Sequence, residues 1–170
     1  MSDGRAIILR PAAAADAEMV FHWRNDPFLI VRGSSRKAVT REEHLRWFRA
    51  ALGEGKCKMF IVLVDGEPAG QVRFDRLNAE TSVITAYLLQ PFTGRGWGVK
   101  AIHQGCELLF QSDWPVSNIV ACVREDNVAA FAGFRKAGFR ENRTLSFCPA
   151  GHFTLVFHHQ SNDAAENSRR

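Results

Sequence analysis

The chain has 170 residues, 46% of them hydrophobic and 24% charged, and a formal net charge of +4. This is the composition of an ordinary globular domain that can bury a substantial core. No apolar run approaches the roughly 20 residues that span a bilayer, and the N-terminus lacks a signal-peptide pattern, so we expect a cytoplasmic protein with no membrane partner. The positive charge suits a polyanionic partner, but no basic face carries interleaved aromatic residues, so we do not expect nucleic acid.

The four cysteines are widely spaced and lie mostly in apolar sequence: Cys57, Cys106, Cys122 and Cys148. A metal site would need paired cysteines or histidines at short spacing, and the sequence has none. We therefore expect buried, reduced thiols that serve for packing, and no metal.

The beginning of the chain predicts a strand, a helix and a loop. Residues 5–10 form a short apolar run that ends at Pro11. Residues 12–24 are typical of a helix, which Asp26-Pro27 stops, because the residue before a proline avoids the α region. Residues 28–39 predict a loop with extended pieces.

A second helix begins at Thr40. Thr40 and Glu43 fit a capping box, in which hydroxyl and carboxylate satisfy free amide groups of the first turn reciprocally. Gly53 ends the helix. Apolar residues at positions i, i+3 and i+7 predict its buried stripe: Leu45, Phe48 and Leu52.

Strands and then alternating helices and strands make up the rest of the chain. Asp65-Gly66 is a hairpin turn signal between the first two of these strands. The predicted elements are strands at 58–64, 68–76 and 81–89, a helix at 96–111, a strand at 117–125, a helix at 126–139 and a strand at 152–159. This order predicts an α/β fold with a mixed sheet and helices on both faces, as a single domain over 1–159. The polar tail 160–170 is expected to be disordered.

Three alternating glycines stand directly before the third predicted helix, in the stretch TGRGWG at 93–98. Glycine costs about 1 kcal/mol in a helix relative to alanine, so packing does not explain the pattern. Successive backbone N–H groups can hold a pyrophosphate when no Cβ stands in the way, and a helix start adds partial positive charge. The spacing is that of neither a P-loop nor a dinucleotide fingerprint, and a tight turn with glycine caps is the alternative for this stretch alone.

A second motif lies downstream, across a helix and a strand, in the stretch VREDNVAAFAGFRKAGFREN at 123–142. Its features are an asparagine followed by a helix that ends in Gly-Phe: Asn127, Ala130, Gly138 and Phe139. Together with the glycine turn, this resembles the acetyl-CoA-binding core of the GNAT N-acetyltransferase family. The order of strands and helices up to about His159 is also that of the family, which implies the GNAT acyltransferase fold.

The resemblance implies that acetyl-CoA is the co-substrate. The amides of the glycine turn would hold the CoA pyrophosphate, and Leu88 and Leu89 would pair with the pantetheine arm. A backbone N–H near Leu88 would polarise the acetyl carbonyl, and Asn127 would hydrogen-bond the cofactor arm. The implied cofactor contacts are Leu88, Leu89, Thr93, Gly94, Arg95, Gly96, Trp97, Gly98, Val99, Asn127 and Phe134.

The sequence departs from the family pattern at two of these positions. Thr93 stands where the family usually has arginine or glutamine. Phe134 stands where many members carry a tyrosine that protonates the departing thiolate, and phenylalanine cannot donate a proton. Tyr87, a water molecule or stabilisation of the thiolate by the turn are the alternatives.

The chemistry that the resemblance implies is direct attack of a neutral primary amine on the thioester in a ternary complex. A base is wanted to take the proton of the amine. Glu80 and His44 are the candidates, and the alternatives are a turn carboxylate for Glu80 and a helix-surface residue for His44.

The acceptor side is predicted from the first two helices. Trp23-Arg24-Asn25-Asp26-Pro27, with Glu43-His44 and Trp47-Phe48, resembles a GNAT subgroup that acts on nucleotide-linked amino sugars, including enzymes of the pseudaminic-acid pathway. The implied acceptor-binding residues are Arg24, Asn25, Arg32 and Trp47. Arginines would meet the diphosphate and tryptophan would stack on a sugar or base. Core packing of Trp23 and Trp47, and helix capping by Arg24, are the alternatives.

Other functions remain open at this point. A protein α-amino group or an aminoglycoside would favour an acidic pocket, whereas this part of the chain is basic. A CoA-binding module without catalysis is the alternative from another functional class. We expect a small-molecule amine as partner, and a monomer or a homodimer.

Overall fold

The structure, a computed structural model, describes residues 6–33 and 35–159. Its centre is a seven-stranded sheet in the order β1-β2-β3-β4-β5-β7-β6. The strands are β1 Ile7–Pro11, β2 Cys57–Val64, β3 Glu67–Arg76, β4 Thr81–Leu88, β5 Asn118–Arg124, β6 Arg140–Glu141 and β7 His152–His158. All neighbours pair antiparallel except β4 and β5, which run parallel. The predicted mixed α/β sheet is confirmed.

Helices cover both faces of the sheet. They are α1 Ala17–Arg24, α2 Pro27–Ile30, α3 Arg41–Gly53, α4 Trp97–Phe110 and α5 Val128–Lys136. The short helix α2 and the two-residue strand β6 were not predicted. Asp26 explains α2, because its carboxylate caps the backbone N–H of Phe28 at 2.8 Å. The tail 160–170 and Arg5, at the start of the first predicted strand, lie outside the described residues.

Two hydrophobic cores lie on opposite faces of the sheet. The larger packs α4 and α5 against the strands and includes Phe74, Leu109 and Phe139. The smaller lies under α1 and α3 and includes Phe48. Helix α4 approaches the sheet closely at Gly105, where a Cβ would lie only 2.8 Å from Cγ1 of Val72. This contact fixes the height of α4 above the strands.

Local signals of the sequence correspond to observed geometry. The hydroxyl of Thr40 accepts from the N–H of Glu43 at 3.2 Å, and the Glu43 carboxylate accepts from the N–H of Thr40 at 3.0 Å, so the capping box begins α3. Asp65 and Gly66 have φ values of 50° and 84°, as the tight turn between β2 and β3 requires.

A disulfide joins Cys122 in β5 to Cys148 in the β6–β7 connection, with 5.4 Å between the Cα atoms. This corrects the prediction of four reduced thiols. The two residues meet because β5 pairs with β7, and sequence spacing alone does not show that pairing. The side chain of Cys122 points towards the face of α1 and α3, because its neighbours Ala121 and Val123 belong to the core under α4 and α5.

Cys57 and Cys106 are free thiols, and burial raises the pKa of both to about 12. Near neutral pH they remain protonated and unreactive. Within the described residues, no helix is both long and apolar enough to cross a bilayer. No group of three or more His, Cys, Asp or Glu side chains in the same residues could hold a metal ion.

The disulfide yields the first prediction. Because it closes a loop with a sequence separation of 26, its loss is expected to lower the free energy of unfolding by about 3 kcal/mol. A reductant should lower the melting temperature of the wild type, and Cys148→Ser should reproduce that shift without reductant. Cys57→Ser, at a free thiol, is the matched control. A Cys148→Ser variant that is still destabilised by reductant would contradict this account.

Candidate active site

Strands β4 and β5 part in the middle of the sheet. Their pairing runs from Thr81 opposite Asn118 to Ile84 opposite Ala121 and then ends. Beyond that point β4 remains paired with β3 as far as Leu88. The edge of β4 that faces the gap can therefore receive an extended ligand as an added strand, since strand edges carry unpaired backbone groups.

A close backbone contact holds β4 in place along this gap. A Cβ on Gly70 of β3 would lie 2.1 Å from the carbonyl oxygen of Tyr87 and 2.9 Å from the Cα of Leu88. Only glycine permits this approach. The backbone of Tyr87 and Leu88, which borders the gap, is thus positioned by β3.

The glycine turn follows β4 and leads into α4. Gly94 and Gly96 have φ values of 75° and 81°, and a Cβ on either would have no atom within 4 Å. Glycine is therefore required by the backbone conformation, while the space beside it is open. Gly96 is the N-cap of α4, and no side chain caps this helix. Its N-terminus fits an anion held by main-chain amides, as the CoA pyrophosphate would be.

The other residues predicted to contact the cofactor have varied surroundings. The Thr93 hydroxyl donates to the carbonyl of Gln90 at 2.8 Å, and Arg95 lies over the Trp97 ring at 5.4 Å. Asn127 is the N-cap of α5. Phe134 is 6% exposed and packs against Phe139 at 5.1 Å. Phe134 is thus a core residue, and its contact with the cofactor stays a prediction.

A cavity of about 280 Å³ lies on the opposite face of the sheet, between α1, α3 and the parted strand β4. Its lining includes both apolar and cationic side chains. The lining residues are Val20, Trp23, Arg24, Leu29, Ile30, Gly33, Ser35, Lys37, Trp47, Gln71, Arg73, Thr85 and Tyr87. Since Thr85 and Tyr87 belong to the part of β4 that borders the gap, the cavity adjoins the place where the strands separate.

Arginine and tryptophan side chains form a cluster in this cavity. The guanidinium of Arg73 lies 5.0 Å from the centre of the Trp47 ring, and that of Arg24 lies 5.8 Å from it. Nε of Arg73 donates to the Asp75 carboxylate at 2.8 Å. Burial and the neighbouring charge of Arg73 lower the pKa of Arg24. Lys37 adds a third cation, and none of the described lining residues is acidic.

Tyr87 is the single tyrosine of the chain and lies deep in the cavity. Burial raises its pKa above the ordinary value, although the charges of Arg73 and Arg24 oppose this shift. Its ring meets the Trp23 ring edge-on at 6.4 Å. The hydroxyl of Tyr87 therefore holds its proton throughout the neutral range and is available as a donor.

The family is decided by a match over most of the chain. The model of the acetyltransferase (GNAT) domain matches residues 6–140. The chain belongs to the GNAT acetyltransferase family. It is therefore an N-acetyltransferase, and acetyl-CoA is its acetyl donor. A comparison with curated proteins finds no match.

Solved structures of other acetyltransferases share the fold. Aminoglycoside acetyltransferase AAC(6')-Ib with ribostamycin and coenzyme A is 23% identical, covering 97% of this chain and 98% of its own, with a TM-score of 0.79. Spermidine N-acetyltransferase from Vibrio cholerae with CoA and spermine is 14% identical, covering 88% and 92%, with a TM-score of 0.73. RimL, a ribosomal L7/L12 α-N-protein acetyltransferase with CoA, is 17% identical, covering 90% and 93%, with a TM-score of 0.71. At these identities the likeness shows the fold alone.

Neither candidate base is among the residues that line the cavity. Glu80 precedes β4, at the end of the strand opposite to Tyr87 and Leu88. His44 is 2% exposed, with Nε2 at 2.9 Å from the carbonyl of Ala17, and burial lowers its pKa. His44 is thus a core residue between α1 and α3, and neither residue is carried into the proposed site.

Two of the four predicted acceptor residues line the cavity, Arg24 and Trp47. The side chain of Asn25 instead donates to the carbonyl of Val39 and accepts from its N–H, both at 2.9 Å, so it fastens the connection before α3. Arg32 is exposed, donates to the carbonyl of Phe28 at 2.8 Å and stacks on that ring at 3.7 Å. Neither Asn25 nor Arg32 is among the residues that line the cavity.

Sequence reasoning missed the polar residues on the central strands. Gln71 and Arg73 of β3, Thr85 of β4 and Lys37 all line the cavity. The sequence signal for these residues is the alternation of polar and apolar side chains in Gln71-Val72-Arg73-Phe74. A strand with helices on both faces is usually apolar throughout, so its polar side chains indicate a functional site.

The glycine turn yields the second prediction. Gly96→Val places a side chain in the open space beside the turn and should weaken acetyl-CoA binding at least about tenfold, as measured by calorimetry. Gly55→Val is the matched control, because Gly55 also has positive φ, 66°, and no atom within 4 Å, but lies between α3 and β2. Both variants should lose about 1–2 kcal/mol of stability. Equal affinities for acetyl-CoA in the two variants would contradict a cofactor role of the turn.

Proposed function

We propose that this acetyltransferase transfers the acetyl group of acetyl-CoA to the primary amine of an acceptor that also carries an anionic group. A nucleotide-linked amino sugar is the acceptor class that we favour. The observation that carries the proposal is the charge of the cavity, whose lining contains Arg24, Lys37 and Arg73 and no described acidic residue. Arginine pairs well with phosphate, since its planar guanidinium donates two parallel hydrogen bonds.

The size of the cavity and its aromatic wall support the same class. At about 280 Å³ it lies at the small end of ligand sites, so it suits the amine-bearing ring rather than a whole nucleotide. Trp47 offers a flat apolar surface beside the two guanidinium groups. Exposed Lys37 lines the same cavity, where the charged remainder of the acceptor would extend.

The same charges argue against cationic acceptors. Among the structural neighbours, one binds ribostamycin, one binds spermine, and one acetylates a ribosomal protein. Arg24 and Arg73 would repel an aminoglycoside or a polyamine, because like charges brought together in a partly desolvated cavity cost free energy. A protein α-amino group also offers no anion for these arginines.

The cationic cavity also supports a mechanism by which the bound ammonium group loses its proton and becomes the neutral, nucleophilic amine. An ammonium group beside Arg24 and Arg73 has a lowered pKa, because like charges disfavour the charged form. The described lining residues include no carboxylate or histidine that would act as a base near neutral pH. We infer that electrostatic repulsion, with water as the proton acceptor, delivers the neutral amine for direct attack in a ternary complex.

The cofactor side of the proposal rests on the parted strands and the turn. Acetyl-CoA supplies a thioester whose carbonyl an amine can attack. The edge of β4 at Leu88, with Leu89 directly after the strand, would hold its extended arm, and the amides from Gly94 to Val99 its pyrophosphate. Asn127 would bond the arm through Nδ2, since its oxygen caps α5 by accepting from the N–H of Ala130 at 3.1 Å.

Tyr87 is the proposed proton donor, and this yields the third prediction. Tyr87→Phe should lower kcat about a hundredfold and leave acetyl-CoA affinity unchanged, since only the Oη proton is lost. Because the chain has one tyrosine, ultraviolet titration of the wild type reports Tyr87 alone. The tyrosinate signal should rise only above the ordinary pKa of 10.0, and the folded state should lose stability as the pH rises through that raised pKa. A kcat equal to that of the wild type would remove Tyr87 from the mechanism.

The acceptor class yields the fourth prediction. Thiol release from acetyl-CoA should be fastest with UDP- or CMP-linked amino sugars in a panel that includes an aminoglycoside, spermidine and N-terminal peptides. Acetyl-CoA binding without thiol release on any amine would instead indicate a non-catalytic module. A preference for spermidine or an aminoglycoside would contradict an anionic acceptor.

Arg73→Gln is the variant that accompanies this panel. It should lower kcat/KM for the anionic acceptor about ten- to a hundredfold, since a charged hydrogen bond is lost. The acidic limb of the pH profile should move to higher pH, because removal of one cation raises the pKa of the bound amine. Arg32→Gln removes the same charge outside the cavity and should change neither quantity.

A further inference from the structure

One buried polar side chain of the cavity has no partner. Gln71 lies in the middle of β3, opposite Ile61 of β2 and Tyr87 of β4, and is 2% exposed. Its Nε2 is buried and makes no hydrogen bond within residues 6–33 and 35–159. The same side chain lines the cavity beside Arg73.

An unpartnered amide at this position needs a physical reason. A buried donor without a hydrogen bond costs about 1–3 kcal/mol, and such groups are rare in native proteins. An apolar side chain of similar volume would avoid that cost at Gln71. Arg73 lies on the same face of β3 and donates to Asp75 at 2.8 Å and to Thr85 at 3.4 Å. Polar side chains on this face can therefore find partners within the protein, and the missing partner of Gln71 Nε2 needs a separate reason.

We propose that Gln71 is a specificity-determining residue that donates a hydrogen bond from Nε2 to an oxygen of the bound acceptor. The oxygen would be a hydroxyl, carbonyl or phosphate oxygen close to the amine-bearing group. This inference rests on the cavity being the acceptor site of the proposed function. A donor here recognises an oxygen-rich acceptor, and an acceptor that lacks the oxygen leaves the buried amide unpaired, which costs affinity.

The neutrality of Gln71 is the second part of the inference. A glutamate at this position would place a carboxylate beside Arg73 and close to Arg24, and would offset part of the cationic charge of the cavity. Glutamine satisfies the need for a polar contact without that offset. The side chain at position 71 therefore acts on both hydrogen bonding and charge selection.

The first test is Gln71→Leu, which removes the donor. With the best acceptor of the amine panel, KM of the acceptor should rise about tenfold, the factor for one hydrogen bond, while KM of acetyl-CoA stays unchanged. The melting temperature should stay equal or rise, because the buried unpartnered group is gone. A merely structural glutamine predicts the reverse, a lower melting temperature and an unchanged acceptor KM, and that result would overturn the inference.

Ser82→Ala is the matched control. Ser82 is 0% exposed, and its Oγ is also buried with no hydrogen-bond partner in the described part of the chain, but Ser82 does not line the cavity. Its substitution should leave the acceptor KM unchanged. A rise in acceptor KM equal to that of Gln71→Leu would mean that the effect does not arise in the cavity, and would overturn the inference as well.

The second test is Gln71→Glu, which keeps the size and adds a charge. The ratio of kcat/KM for a UDP-linked amino sugar to that for spermidine should fall at least about tenfold. An unchanged ratio would contradict the role of position 71 in charge selection.

The two proposals fail in different ways. If the wild type prefers an aminoglycoside, which is cationic but rich in hydroxyl oxygens, the proposed acceptor class is wrong, and Gln71→Leu must still raise KM for that amine. A preference for spermidine, which has no oxygen, would overturn both proposals. If no amine is acetylated, a UDP-linked amino sugar becomes the probe for calorimetry, and Gln71→Leu must weaken its binding about tenfold. Equal dissociation constants for that sugar nucleotide in wild type and variant would overturn the assignment of Gln71.

Discussion

The hydrogen-bond ladder between β4 and β5 ends at Ile84 and Ala121, and the rest of the active site depends on that ending. If the two strands stayed paired, the backbone N–H and C=O groups on this edge of β4 would bond to β5, and no extended arm could pair with them. The parting is possible because β4 keeps its partner on the other side, where β3 follows it to Leu88. The close approach at Gly70 makes that second pairing rigid, so one edge is free while the strand stays fixed.

The two faces of the sheet divide the chemistry between them. Helix α4 is held close to one face at Gly105, and its N-terminus with the glycine turn forms a cradle of main-chain amides. The other face is covered by α1 and α3 and carries the arginine and tryptophan cluster. Main-chain recognition needs only the fold, so it is the part that a common fold preserves. In the proposed function, side chains such as Arg73 would set the acceptor.

Local rules of sequence predicted much of the fold and the cofactor side. The capping box at Thr40, the turn at Asp65-Gly66 and the cap at Asn127 each depend on residues close together in the chain. The glycine turn is predictable for the same reason, since positive φ values and a helix start without a side-chain cap both favour glycine in the sequence.

The lining of the cavity could not be predicted in the same way, because it is assembled across elements. Gln71 and Arg73 reach the cavity only because β3 presents that face towards α1 and α3, which requires the order of the strands. The sequence suggests Glu80 and His44 as bases only through their side-chain type. Their positions depend on the tertiary structure: Glu80 lies at the start of β4, and His44 lies in the interior between α1 and α3. The bridge between Cys122 and Cys148 likewise requires knowledge that β5 pairs with β7.

The oxidation state of Cys122 and Cys148 depends on where the chain is synthesised. The ribosome must release residues 122 to 148 before the two sulfurs can meet, so oxidation follows synthesis of the connection after β6. Expression hosts with reducing and with oxidising interiors would therefore deliver chemically distinct preparations of one polypeptide. Mass spectrometry of the intact chain distinguishes the disulfide-bonded form from the reduced form before any enzymatic assay.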